Sequence, residues 1–271
     1  MKGLIAIDLD GTLFDSRQQI SSRNISALRK TLDLGYQTAI VTGRGKEGAM
    51  AALDMVGLQM PVICSAGSLV LGDHGSLIIS ARTFQIDEEL TRIADFARNN
   101  NAGLIADSLE ENWWFGPDKL GDDLDPLTAA FASSSIRTCS PEMDLRRPLL
   151  KLTLAADPEV LQTAEVEVGK YCPSLHYVYA GLKYLDFTRK DVSKGTALKI
   201  LAEHLGIRAS DTIAIGDQLI DLSMLEYSGL PIAMATAPDK LKDVARWIAP
   251  ANDEDGVAWA LDRIINGHSQ N

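Results

Sequence analysis

One segment of the sequence indicates the fold class: Leu4-Ile5-Ala6-Ile7-Asp8-Leu9-Asp10-Gly11-Thr12-Leu13. Residues 4–9 form an apolar run bounded by turn residues, which predicts a strand buried in a parallel sheet. Such a strand is expected to be apolar on both faces, so Asp8 breaks the local rule. A lone Asp10-Gly11 would predict only a turn. Both carboxylates, however, stand at the carboxyl end of the strand, where open α/β sheets place their sites.

Strands and helices alternate at both ends of the sequence. The apolar periodicity predicts further strands over residues 36–41, 61–64, 212–215 and 231–234, and helices over residues 22–34, 47–56, 194–205, 219–227, 238–246 and 255–265. A hairpin with arms at residues 69–71 and 77–79 is predicted to leave the sheet. The alternation indicates an α/β protein with a doubly wound, parallel, Rossmannoid sheet as its core.

The middle third of the chain has a mixed α+β order instead. It predicts helices over residues 87–100 and 158–171, and strands over residues 104–106, 113–115, 151–155, 175–179 and 184–187. Because this segment interrupts two stretches of α/β order, we expect it to be an inserted domain. The predicted core is residues 1–83 and 190–271, and the predicted α+β insertion is residues 84–189.

Composition and charge exclude several classes of protein. The 271 residues are 46% apolar and 23% charged, which is typical of a globular chain. The net charge of −11 disfavours nucleic acid or an anionic membrane as partner. No apolar run reaches the roughly 18 residues of a membrane span, and Asp8 comes too early for a secretory leader. We therefore expect a cytoplasmic protein, either a monomer or a weak homodimer.

The cysteines do not form a recognisable framework. Cys64, Cys139 and Cys172 are odd in number and far apart, and no CxxC pair occurs. This spacing argues against both a disulfide scaffold and a zinc site. All three residues are predicted to be buried thiols.

A second pair of carboxylates follows the predicted strand at residues 212–215. Asp217 and Asp221 share one helix face, where like charges repel unless a cation intervenes. Taken singly, each could be only a helix cap or a first-turn acid. The ends of parallel strands meet at one sheet edge, so these residues are expected to join Asp8 and Asp10. Four carboxylates there would suit Mg²⁺.

Two further segments have features that an anion requires. Thr42 and Gly43-Arg44-Gly45 offer a hydroxyl and accessible backbone N–H groups at the end of a strand. Lys194 stands in the first turn of a predicted helix, where the dipole disfavours a cation unless an anion lies nearby. If Lys194 stood alone, an exposed lysine on a solvated face would be the better explanation.

A competing motif overlaps the second strand. Gly43, Gly45 and Gly48 spell GxGxxG, as in dinucleotide-binding folds. That fingerprint also needs an acid at the end of the next strand, where this chain has Ser65-Ala66-Gly67. A nucleotide-dependent oxidoreductase is therefore the weaker hypothesis.

Taken together, four segments resemble the motifs of the haloacid dehalogenase superfamily, specifically Cof-type phosphatases with a C2 (IIB) cap. They are Asp8 through Leu13, Thr42-Gly43-Arg44, Ser193-Lys194-Gly195 and Gly216 through Asp221. The resemblance covers essentially the whole chain. It implies a Rossmannoid core, a cap inserted between the second and third motifs, and Mg²⁺-dependent hydrolysis of phosphomonoesters. The predicted insertion falls where the cap belongs.

The resemblance also implies residue roles. Asp8 would be the nucleophile that forms an aspartyl-phosphate, and Asp10 the acid that protonates the leaving oxygen and then activates water. The implied ligands of Mg²⁺ are the Asp8 side chain, the Asp10 carbonyl and Asp217, with Asp221 either binding the ion or supporting those ligands. The implied phosphate-binding residues are Thr42, Gly43 and Lys194.

Three positions depart from the family pattern. Ile220 replaces a usual asparagine, Ala66-Gly67-Ser68 replaces Asn-Gly-Ala, and Ala235-Thr236 replaces Gly-Asn. Each replaces an amide that is expected near the phosphate or near the groups that support its ligands. We expect the chemistry to survive, with looser positioning or another substrate. Ordinary drift at positions that tolerate it is the alternative explanation, and it is slightly favoured.

Specificity is implied to come from the cap. Trp113 and Trp114 point to opposite faces of a predicted strand, so one ring could face the core domain and stack on a sugar or cofactor ring. Aromatic residues on such a sheet more often fill its core. Arg44, Trp113 and Trp114 are the specificity candidates.

The predicted function is a Mg²⁺-dependent phosphatase of small phosphorylated metabolites, either sugar phosphates or phosphorylated cofactors. Two alternatives are a phosphosugar mutase or phosphotransferase, which would pass the same phosphoryl group to a sugar, and a catalytically weakened protein that only binds such metabolites.

Overall fold

The computed structural model describes residues 2–75, 77–85, 88–110, 112–116, 136–138 and 148–267. The strands are β1 Leu4–Ile7, β2 Gln37–Val41, β3 Val62–Cys64, β4 Leu69–Leu71, β5 Ile78–Ala81, β6 Gly103–Ser108, β7 Asn112–Phe115, β8 Ile136–Thr138, β9 Leu149–Ala155, β10 Leu175–Tyr179, β11 Tyr184–Arg189, β12 Thr212–Gly216, β13 Leu230–Met234 and β14 Trp247–Ala249. The helices are α1 Ser22–Asp33, α2 Lys46–Val56, α3 Glu88–Asn99, α4 Pro158–Tyr171, α5 Lys194–His204, α6 Leu222–Tyr227, α7 Asp239–Lys242 and α8 Gly256–Gly267.

An eight-stranded sheet forms the core, in the order β14-β13-β12-β1-β2-β3-β4-β5. β1 lies between β2 and β12 and is parallel to both. Strands are therefore added outward on both sides of β1, which is the doubly wound arrangement that was predicted. Helices α1, α2 and α8 supply apolar side chains to one face, and α5, α6 and α7 supply them to the other.

Local sequence explains why β1 and α1 form. Leu4, Ile5 and Ala6 are fully buried, because both faces of β1 are covered by helices. Ser21 caps α1 by accepting a hydrogen bond from the Asn24 N–H, at 3.0 Å. After the helix, Gly35 has a left-handed φ of +88° and turns the chain into β2.

Two predicted elements differ from the structure, and the strand β14 is an addition to the prediction. The hairpin of β4 and β5 does not leave the sheet: β4 pairs with β3, because residues 69–71 are fully buried and extend the core. The helix predicted over residues 238–246 is shortened to Asp239–Lys242, since the chain turns there to form β14. β14 itself was not predicted, because it is three residues long and has little alternation.

A second sheet of six strands has the order β10-β11-β9-β6-β7-β8. Helices α3 and α4 cover one face with apolar side chains. The opposite face carries buried polar side chains and lies against the ends of the core strands. This sheet and its helices form the α+β cap that was predicted, while the boundaries at residues 84 and 189 stay a prediction.

Two of the three cysteines lie in the described part of the chain. Cys64 and Cys172 are buried free thiols, as predicted, and Cys139 lies outside the described residues. Among those residues, no helix has the length and hydropathy to cross a bilayer.

Candidate active site

Asp8 and Asp10 follow β1 in a tight turn. The Asp8 N–H donates to the Ile215 carbonyl at 3.0 Å, which extends the pairing of β1 with β12 by one residue. Gly11 has a φ of +83°, and a Cβ there would lie 2.3 Å from Asp217 Oδ2. Only glycine allows this turn to approach the loop that follows the neighbouring strand β12 so closely. The Asp8 side chain is thereby buried at the carboxyl end of the sheet.

Asp217 and Asp221 lie in the loop after β12. Asp221 Oδ2 accepts the N–H groups of Asp217 and Gln218, both at 3.0 Å, which closes the loop. Asp217 Oδ1 accepts the Thr12 hydroxyl at 2.8 Å, and its Oδ2 accepts the Gln218 amide at 3.0 Å. These bonds turn both carboxyl groups toward Asp8.

Lys194 stands between the carboxylates. Its helix α5 begins at Ser193, whose hydroxyl accepts the Thr196 N–H at 3.1 Å. The Lys194 Nζ lies 2.6 Å from Asp8 Oδ1 and 2.5 Å from Asp221 Oδ1. The lysine is 1% exposed, so the solvated-surface explanation is wrong for this residue.

The charges of this cluster do not balance. Three buried carboxylates face one ammonium group. Burial, reinforced by the Asp221 charge, raises the pKa of Asp8 well above its ordinary value. The same causes raise the pKa of Asp217 to about 6. Burial alone would lower the pKa of Lys194, but Asp221 and Asp8 outweigh it and the pKa is raised.

A divalent cation would correct this imbalance. One oxygen from each of Asp8, Asp217 and Asp221 lies within 4.8 Å of the others. Mg²⁺ takes a few carboxylate oxygens and completes its shell with water or phosphate oxygens. The donor set, the closeness of the three oxygens and the surplus negative charge therefore fit Mg²⁺.

Arg44 binds the other catalytic candidate, Asp10. Its Nε lies 2.8 Å from Asp10 Oδ2, and its Nη2 lies 2.5 Å from Asp10 Oδ1. The guanidinium also donates to the Gln18 side chain and lies 4.9 Å from the centre of the Phe14 ring. Such a two-point pair fixes both the position and the rotation of a carboxylate.

Gly43 borders the same space, and Thr42 precedes it in the chain. The Thr42 hydroxyl is buried and accepts the Arg44 N–H at 3.1 Å. Gly43 lines a cavity together with Asp8, Asp10, Arg44 and Lys194. The structure thus brings together the predicted residues of the four motifs.

The positions that depart from the family pattern lie at different distances from the site. Ile220 lines the cavity beside Gly43. Ala66 has a left-handed φ of +57°, a conformation that asparagine adopts more readily than alanine. Thr236 is exposed in the turn after β13 and does not line the cavity.

The two tryptophans do not join the site. Trp113 is 1% exposed and packs in the apolar core of the cap. The Trp114 ring lies on Gly103, where an added Cβ would approach it to 1.9 Å. Neither residue lines the cavity beside Asp8. Four cap residues that were not predicted stand near it: Asp107, Lys151, Thr153 and Asp186. The polar positions in Leu150-Lys151-Leu152-Thr153-Leu154 were the available signal for two of them.

Replacing Gly11 by alanine is expected to disturb Asp217. The Gly35→Ala variant is the matched control, because Gly35 also has a positive φ but a Cβ there meets nothing within 4 Å. Both variants should lose about 1 kcal/mol of stability from backbone strain. Only Gly11→Ala should also reduce the rise in unfolding temperature that Mg²⁺ produces. An equal Mg²⁺ effect in both variants would contradict the placement of Asp217.

Comparison with known proteins agrees with this geometry. A family model described as haloacid dehalogenase-like hydrolase matches residues 5–261. A 5-amino-6-(5-phospho-D-ribitylamino)uracil phosphatase of Bacillus subtilis is 32% identical, with 97% of this chain and 98% of the relative covered. A phosphoglycolate phosphatase of Archaeoglobus fulgidus is 28% identical over 95% of this chain and 94% of its own length.

A solved structure shares the fold. It is that of a subclass IIB sugar phosphatase of the haloacid dehalogenase superfamily, with a TM-score of 0.85 and 23% identity. The match covers 97% of this chain and 98% of that one. The fold class predicted from the sequence is therefore confirmed, together with the cap. With a family match across nearly the whole sequence, the chain belongs to the haloacid dehalogenase-like hydrolase family.

Proposed function

We propose that this chain is a Mg²⁺-dependent phosphatase of small phosphomonoesters that works through an aspartyl-phosphate on Asp8. The observation that carries the proposal is the buried group of Asp8, Asp217 and Asp221 around Lys194, with Asp10 at the same cavity. The phosphatase names of the two relatives support the same reaction class.

The reaction would take place in two steps. In the first, an Asp8 carboxylate oxygen attacks phosphorus and the bond from phosphorus to the leaving oxygen breaks. Asp10, in its protonated form and released from its pairing with Arg44, gives its proton to that oxygen. In the second, Asp10 takes a proton from water while the water oxygen attacks phosphorus. The bond to Asp8 then breaks, which releases phosphate and restores the carboxylate.

Charge and positioning supply most of the catalysis in phosphoryl transfer. Bound at Asp8, Asp217 and Asp221, Mg²⁺ would add positive charge beside the phosphoryl oxygens. Lys194 would contribute its ammonium, which lies 2.6 Å from Asp8 Oδ1. Thr42 and the adjoining backbone at Gly43 would hold the phosphoryl group by hydrogen bonds.

The cavity favours a small polar leaving group. Beyond Asp8 and Asp10 it is lined by Lys151, Thr153 and Asp186 of the cap. Their ammonium, hydroxyl and carboxylate groups match the hydroxyls of a sugar or polyol. The polar part of the cavity therefore suits the hydroxyls of a sugar phosphate, while Ala180, Tyr184 and Ile220 add apolar surface beside it. Location in the cytoplasm and a monomeric or weakly dimeric state stay predictions.

Removal of Mg²⁺ is expected to abolish turnover. The experiment is a screen of phosphorylated metabolites that measures released phosphate, with and without a chelator. We expect hydrolysis of at least one sugar phosphate in Mg²⁺, its loss in chelator and its return with excess Mg²⁺. Equal hydrolysis in chelator would contradict the metal requirement.

The same assay separates the two alternatives. With a free sugar present as acceptor, a phosphotransferase yields a new sugar phosphate, whereas a phosphatase yields free phosphate. A protein that only binds metabolites gives heat in a calorimetric titration and no turnover at saturating Mg²⁺.

A further inference from the structure

A buried ion cluster lies on the cap face that meets the core. Asp107, Lys151 and Asp186 come from the neighbouring strands β6, β9 and β11, and their side chains are at most 3% exposed. The Lys151 Nζ lies 3.2 Å from Asp186 Oδ1 and 3.7 Å from Asp107 Oδ2. The Thr153 hydroxyl donates to Asp186 at 2.5 Å. These bonds hold the ammonium in one position.

The cluster also reaches across to the core. Lys151 Nζ donates to the Gly43 carbonyl at 2.8 Å, and Asp107 accepts the Ser65 hydroxyl at 3.4 Å. The Asp107 carboxylate packs so closely on Gly45 that a Cβ there would lie 3.1 Å away. These three contacts join the cap to the loops that follow β2 and β3.

By itself, the buried ion cluster is unfavourable for the stability of the fold. Asp107 Oδ1 is buried without a hydrogen-bond partner among the described residues. Burial also raises the pKa of Asp107 to about 6. Replacing a buried ion cluster by neutral groups often leaves a protein equally or more stable. Because such a cluster adds little to stability, we looked for a functional role.

The peptide unit between Gly43 and Arg44 is held at both ends. Its carbonyl accepts from Lys151, and its N–H donates to the Thr42 hydroxyl at 3.1 Å. Glycine leaves the backbone free to rotate at this point, so these two bonds decide which way the unit faces. Beyond it, the Arg44 side chain binds Asp10.

We propose that Lys151 is a positioning residue that acts from the cap: by binding the Gly43 carbonyl, it fixes the peptide unit that borders the phosphate and carries Arg44. The inference rests on the proposed function, in which Thr42 and Gly43 hold the phosphoryl group. When the cap contacts the core, the loop after β2 has the orientation that binds phosphate. Without the hydrogen bond from Lys151, this loop loses that orientation and phosphate binds more weakly.

The test compares Lys151→Met with Lys190→Met, which removes an exposed lysine just after β11. Calorimetry in Mg²⁺ measures the affinity for inorganic phosphate, which has no leaving group. We expect Lys151→Met to bind phosphate about tenfold more weakly, the worth of one charge-assisted hydrogen bond, and Lys190→Met to match wild type. Unchanged phosphate affinity in Lys151→Met overturns the proposal, even if KM for a sugar phosphate rises, because Lys151 would then contact only the leaving group.

A second variant is needed because Lys151→Met could fail to fold. Asp107→Asn combined with Lys151→Met and Asp186→Asn removes the same bond without leaving buried unpaired carboxylates. It should show the same loss of phosphate affinity, and wild-type affinity here overturns the inference. If wild type itself binds no phosphate in Mg²⁺, the proposed function fails and the inference fails with it.

Discussion

Replacing Asp8 by asparagine is expected to lower kcat for phosphomonoester hydrolysis by roughly 10⁴-fold or more, as loss of a nucleophile does in other covalent enzymes. The amide can still accept the hydrogen bond from Lys194 that Asp8 Oδ1 accepts at 2.6 Å. It is a poor nucleophile, however, so no phosphoryl-enzyme can form. The measurement is steady-state release of phosphate in saturating Mg²⁺ with wild type as reference.

Thermal unfolding supplies the control for this variant. Burial raises the pKa of Asp8, which means that the folded state resists its negative charge. Without metal, Asp8→Asn should therefore unfold at a temperature no lower than wild type. Wild-type turnover in a well-folded Asp8→Asn protein would refute the assignment of the nucleophile.

Replacing Lys194 by methionine is expected to have the second-largest effect. It leaves the three carboxylates of the site without their ammonium partner. Removing one member of a buried ion cluster typically lowers stability by about 3–5 kcal/mol. We expect kcat to fall by about a thousandfold as well, because the phosphoryl group loses a positively charged neighbour.

The stability of metal-free Lys194→Met should also depend on pH. Asp217, whose pKa is raised to about 6, binds protons more readily in the folded state than in the unfolded state, where the pKa is near 3.8. The stability that protonation of Asp217 provides is present at low pH and is lost as pH rises through about 6. The unfolding temperature should therefore fall from pH 5 to pH 8, more steeply than in wild type, and Mg²⁺ should restore it at pH 8.

Lys199→Met is the control, since Lys199 lies exposed on the same helix α5. It should match wild type in kcat and in the pH dependence of unfolding. If Lys194→Met behaves like Lys199→Met, the Lys194 ammonium does not balance the three carboxylates.

The sequence was sufficient for residues near strand ends. Asp8 and Asp217 each interrupt or end an apolar run. Because the carboxyl ends of parallel strands lie at one edge of the sheet, the proximity of these two residues could be predicted. Lys194 was predictable because a lysine in the first turn of a helix opposes the helix dipole.

Contacts between loops and strands that are distant in the chain could not be predicted from the sequence. The pairing of Arg44 with Asp10 depends on how two loops lie against each other. The Lys151 cluster depends on the antiparallel register of β9 with β6 and β11, which no local pattern fixes. Trp113 is a specificity candidate by sequence because alternation assigns a face to each ring, but it does not identify which face packs in the core.

In the proposed reaction, the phosphoryl group is bound covalently to Asp8 before water releases it as phosphate. The most direct measurement mixes the enzyme with ³²P-labelled p-nitrophenyl phosphate in Mg²⁺, stops the reaction with acid within milliseconds, and maps the label on peptides. We expect a label that hydroxylamine removes on the peptide containing Asp8, and no label in Asp8→Asn. Phosphate release without labelled protein, or a label on another residue, would rule out Asp8 as the nucleophile.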